Sequence, residues 1–153
     1  MQLLVPLYEL RPYDESDPRW SPLFFREQVT GDAAASTYGT PQSPPANKAW
    51  IITGATLQGS PDAAKIFVSS RLRVQPFGAA ANADPIAEPV GLRPNPPTAA
   101  ATTALLSVPL NLILVGGVHQ ITVHFGWNPG FATNVGIWSI WGYEIPRGNV
   151  ALR

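Results

Sequence analysis

Few residues of this 153-residue chain have side chains suited to chemistry. Its two histidines, His119 and His124, lie five apart in a stretch that alternates like a strand. That spacing sends them to opposite faces, so they cannot share a metal ion. Asp14, Glu15, Ser16 and Asp17 form the one carboxylate cluster. Its oxygens suit a hard cation, but the glycine and the distant glutamate of an EF-hand loop are missing, and capping or a solvated turn is the simpler use. There is no Gly-x-Ser-x-Gly elbow, phosphate loop, dinucleotide glycine pattern or Cys/His zinc pattern, and the chain has no cysteine. The expectation is a protein that is not an enzyme, with no catalytic residue, no metal ligand and no cofactor.

What the chain does carry is aromatic surface, with five tryptophans, six phenylalanines and four tyrosines. Rings on an open sheet stack on sugars or dock on protein, whereas rings between sheets make core. Alternation places Trp127 with Ile121, Val123 and Phe125, and Trp141 with Val135, Ile137 and Ile145, so both are expected in the core. Trp138 falls with Gly136, Ile140 and Gly142, where the glycines leave room for a large ring or a neighbouring chain. Near the N-terminus, Trp20, Phe24 and Phe25 sit in WSPLFF, among prolines that stop helices and extend the chain. The expected interface residues are Trp20, Phe24, Phe25 and Trp138.

The elements that must position these rings read as strands. Gly117 to Asn149 forms two strands joined by Asn128-Pro129-Gly130, a turn sequence. The second strand, Val135 to Ile145, is apolar on both faces and needs cover on both. Upstream lie strands at Ala49 to Leu57, Lys65 to Val74 and Leu105 to Val115. In the second of these, Ile66, Val68, Leu72 and Val74 are expected to face one way and Phe67, Ser69, Arg71 and Arg73 the other. Leu3 to Leu10 makes one further strand. Residues 76 to 100 hold six prolines and little periodicity, and read as a long loop. No helix is convincing. The expected fold is all-β, an antiparallel β-sandwich or jelly-roll-like body over 48–153, with an extended, proline-rich N-terminal arm over 1–47.

Ten basic and ten acidic residues cancel, so no net field draws the chain to nucleic acid or an acidic membrane. The cancellation is uneven. Residues 1 to 47 carry six acids against three arginines, and the remainder four acids against seven bases. Opposite signs on two parts of one chain suit contact between neighbouring copies. The first residues lack the basic and apolar regions of a signal peptide, and no segment reads as a membrane helix.

One resemblance joins the ends of the body. Pro45, Asn47, Lys48, Trp50 and Ile52 lead into the first body strand, and Gly142, Ile145, Pro146, Arg147, Gly148 and Asn149 close the last. This pairing resembles small virion structural proteins of tailed bacteriophages. The resemblance implies a β-sandwich that decorates or cements a capsid, or sits on a tail, with no catalytic role. The expectation is a capsid cement or decoration protein located in the virion, with major capsid protein subunits as partners and a homo-oligomer, trimer favoured. A glycan- or receptor-binding module of a phage tail or lectin is the alternative.

Overall fold

The computed structural model describes residues 8–10, 20–31, 36–60, 66–94, 103–128 and 134–152. The elements are β1 (Tyr8–Leu10), β2 (Ser21–Gly31), β3 (Ser36–Tyr38), β4 (Lys48–Ser60), β5 (Ile66–Pro76), β6 (Ala87–Leu92), β7 (Ala104–Val115), β8 (His119–Asn128), β9 (Asn134–Pro146) and β10 (Val150–Leu152). A single turn of 3-10 helix, Arg147–Asn149, separates the last two. Eight strands make two antiparallel four-stranded sheets, ordered β2-β9-β4-β7 and β3-β8-β5-β6, while β1 and β10 pair with each other.

Followed along the chain, every connection from β2 to β9 crosses from one sheet to the other, except that between β5 and β6. This interleaved order of two Greek keys is that of the jelly roll. The expected all-β sandwich is therefore the fold, and its topology is settled by the pairings.

Between the sheets lies one core. The sheet containing β9 contributes Trp50, Ile52, Ala55, Leu57, Leu112, Leu114, Trp138 and Ile140, and the other contributes Phe67, Leu72, Val74, Ile121, Val123, Phe125 and Trp127. Two register shifts decide which residues of β4 and β5 point inward. In β4 the shift falls between Ile52 and Gly54, so Trp50 and Ile52 face in before it, and Ala55 and Leu57 after it. In β5 it falls between Phe67 and Ser69, which brings Phe67 into the core with Leu72 and Val74. The uninterrupted alternation expected for β5 is corrected here, because a bulge reverses the parity of everything beyond it.

The N-terminal 47 residues are not wholly an arm. β2 pairs along its full length with β9, and β3 pairs with β8, so residues 21–31 and 36–38 are edge strands of the two sheets. Leu23, Phe25 and Val29 pack on the core from β2. The loop expected over 76–100 contains β6, paired with β5. Its earlier part folds over the outside of the second sheet. Gln75 Nε2 donates to the carbonyls of Ala80 and Ala83, and the Arg73 guanidinium donates to those of Ala81 and Ala83 at 2.9 and 2.8 Å. Gln120 bonds to Ala79 O and receives the Gly78 N–H. Arg73, expected on an open face, is thereby buried.

A second, smaller core lies outside the first sheet. Ala49, Ile51 and Ile145 are buried there beneath Trp20 and Val150. The cover that β9 needs on its outer face is thus supplied at its C-terminal end by chain close to both termini.

Candidate interaction surface

Residue parity along β9 sorts the expected interface side chains. A Cβ placed at Gly136 would meet the Phe125 ring, so Gly136 faces inward, and Trp138 and Ile140 follow it on the same side. Trp138 has 0% exposure and is core, not interface. The glycine does leave room for a large ring, but that ring is Phe125 of the facing sheet. Trp138 packs against Phe25 at 4.9 Å between ring centroids, and its Nε1 donates to the Glu27 carboxylate at 2.7 Å. Glu27 also accepts the Thr40 N–H, tying β2 to the chain that follows β3. Gly39 sits where a Cβ would lie 2.8 Å from Glu27, Trp138 and Val123 alike, so the close approach requires glycine there. Phe25, on the inner face of β2, is likewise packed on the core.

The opposite parity produces the surface. Trp141, expected in the core, lies on the outer face of its sheet, half-buried across Gly54, where a side chain would displace the indole. Opposite it on β2 stands Phe24, 69% exposed, and the next outer pair is Pro22 with Tyr143, which is 47% exposed. Half-buried Trp20 meets the Tyr143 ring at 6.1 Å between centroids. Four aromatic side chains from the N-terminal segment, β2 and β9 therefore gather at one end of the outer face. Thr53 Oγ1 bonds to Trp141 O beside them, and Arg26 and Gln28 continue the outer row of β2 in solvent. Such a platform offers flat, amphipathic rings on rigid strands, suited to stacking or to burial against a partner. Of the four expected interface residues, the structure brings Trp20 and Phe24 to it and takes Phe25 and Trp138 away; sequence reasoning missed Trp141 and Tyr143.

The histidines lie on opposite faces of β8, as their spacing requires. His119 is buried at the end of the sandwich, where its Nδ1 accepts the Val115 N–H at 3.1 Å. Burial lowers its pKa from the ordinary 6.5. His124 is outside, bonded to Ser36 Oγ at 3.1 Å and packed on the Tyr38 ring, over which the Arg73 guanidinium also lies. Its pKa is lowered first by burial, then by the charges of Arg73 and Arg71, with Glu88 opposing. Among the described residues no group of three or more His, Cys, Asp or Glu side chains is placed to hold a metal ion. Asp14, Glu15 and Asp17 lie outside the described residues. No helix of the described residues is long and apolar enough to cross a membrane.

The fold and this surface define a jelly-roll sandwich with an open aromatic patch on one sheet. No protein-family model matches the chain, and no curated protein matches it in sequence. Solved structures similar to it include a chain of the infectious bursal disease virus Gx strain, at 13% identity and a TM-score of 0.45, covering 92% of this chain and 39% of that one. This chain thus spans about two fifths of that protein's length. A chain of the cyanophage Pam1 capsid asymmetric unit is similar at 16% identity and a TM-score of 0.40, covering 89% and 91% of the two chains. TmCBM61, solved in complex with β-1,4-galactotriose, is similar at 11% identity and a TM-score of 0.34, with 90% of each chain covered.

Proposed function

We propose that this protein is a non-enzymatic structural component of a virion that binds capsid subunits through the aromatic end of its outer sheet. The observation that carries the reading is the co-location of Phe24, Trp141, Tyr143 and Trp20 on one rigid face, with two of the four rings open to solvent. Viral capsid domains and lectins both use the jelly roll, so the architecture supports the reading by analogy and the site must carry the rest. The resemblance of Pro45 to Ile52 and Gly142 to Asn149 to phage virion proteins points the same way. A protein of this kind occupies many equivalent positions, so contacts that are weak singly sum to stable attachment.

The test is recovery of the chain with sedimenting particles from infected cells. The unaltered protein is expected in the particle band at constant ratio to the major capsid protein. A Trp141→Ser, Tyr143→Ser variant with an unchanged circular dichroism spectrum is expected to stay at the top of the gradient. Absence of the unaltered chain from particles overturns the proposal.

The open rings favour a second reading, a glycan-binding face. On that reading a glycan array shows saturable binding by the isolated protein, and Tyr143→Ser removes it.

A further inference from the structure

The jelly roll has four sheet edges, and three of them are blunted. β3 is three residues long, β6 is six residues long and holds Pro89, and β7 carries an exposed Pro109 in its middle. Short edges and edge prolines are devices that stop a sheet from pairing with another chain. β2 lacks them. It runs for eleven residues with its proline at the second position, and its register with β9 is unbroken from end to end. Among the described residues, no backbone bond links β2 to any strand other than β9. Its free side therefore presents a row of N–H and C=O groups whose complement is one more extended strand.

We propose that β2 is a strand-addition site and that its occupant is β2 of a second copy, paired antiparallel about a two-fold axis. Within β2 itself the only charged side chains, Arg26 and Glu27, cancel, so two copies of the strand meet without net repulsion between them. Side chains directly opposite in an antiparallel pair share a face, so the outer row of Pro22, Phe24, Arg26 and Gln28 must meet its own copy. Centring the pair on Arg26 sets like charges together, and centring it on Glu27 does the same. Centring it on Phe25 places Phe24 of each copy against Arg26 of the other, an aromatic ring against a guanidinium on both sides of the axis. The sheets then run on as one, β7-β4-β9-β2 followed by its symmetry mate, and the two aromatic ends flank the axis. Edge-to-edge pairing of identical antiparallel strands closes at two copies, in contrast to the trimer expected from the sequence. This inference stands apart from the virion reading, since a second copy can occupy β2 wherever the protein acts.

Sedimentation equilibrium of the unmodified chain is expected to give a reversible dimer. Because the sequence has no cysteine, introduced thiols report the register directly. The Phe24→Cys, Arg26→Cys double variant is expected to form a disulfide-linked dimer under mild oxidation, whereas Ser107→Cys on the opposite edge stays monomeric. A chain that sediments as a monomer at every concentration overturns the proposal, as does equal cross-linking through Ser107→Cys. Efficient cross-linking through Arg26→Cys alone overturns the register. Failure of the dimer leaves particle recovery untouched, so the two proposals fall separately.

Discussion

Trp138 and Trp141 are three residues apart and have opposite fates, which makes them the most direct probes of the fold. Trp138→Ala removes a fully buried indole and one of the donors to the Glu27 carboxylate, so urea unfolding is expected to show a loss of about 3–5 kcal/mol. Trp141→Ala removes a half-buried ring from the outer face, and the expected loss is only about 1–2 kcal/mol. The histidines supply the other residue-scale prediction. Both have pKa values below the ordinary 6.5, so as pH falls the unfolded chain takes up these protons before the folded one. Their contribution to stability is therefore complete above pH 6.5 and declines as pH drops through it, levelling off only below the folded-state pKa values. Urea melts at neutral pH and at about pH 5 are expected to differ, and His119→Gln combined with His124→Gln is expected to shrink that difference.

At the scale of the element, β2 belongs to the body. Its inner residues Leu23, Phe25 and Val29 cover Trp138 and its neighbours, and Glu27 completes the hydrogen bonding of the Trp138 indole. A chain lacking residues 1–30 is therefore expected to lose the cooperative transition seen by near-ultraviolet circular dichroism, instead of leaving a folded body behind. Retention of that transition would show that β9 tolerates an open flank. β2 escapes a reading by pattern because Glu27 interrupts the apolar alternation at the position where the indole needs an acceptor. β6 escapes it through Pro89, tolerated because the strand is an edge. In β5 the bulge at Val68 hides the inward turn of Phe67, a change of parity that local composition does not mark.

For the whole molecule, the two sheets form one rigid frame whose faces are treated differently. The outside of β3-β8-β5-β6 is partly roofed by the loop that Arg73, Gln75 and Gln120 hold. The outside of β2-β9-β4-β7 is covered at the end where Trp20 and Val150 lie, and its aromatic patch is left open beside that cover. One face is thus partly roofed and the other keeps an aromatic patch open, and particle recovery and self-association are the measurements that test the two proposals at the level of the assembly.

By itself the sequence determined the class of the fold, the strands β4, β5, β7, β8 and β9, the inward set on β8, and the opposite facing of the two histidines. Each follows from local alternation and turn chemistry, which act over a few residues. It also singled out the rings of WSPLFF, since large aromatics on proline-rich chain need burial or a partner, and of these Phe24 stands exposed. The side of β9 that faces inward was decided only by the tertiary structure. Both faces of that strand are apolar, so its pattern is symmetric, and the choice rests on which face meets Phe125 and which meets Gly54 across long stretches of chain. That choice sent Trp138 into the core and set Trp141 and Tyr143 beside Phe24, the arrangement on which the proposed function rests.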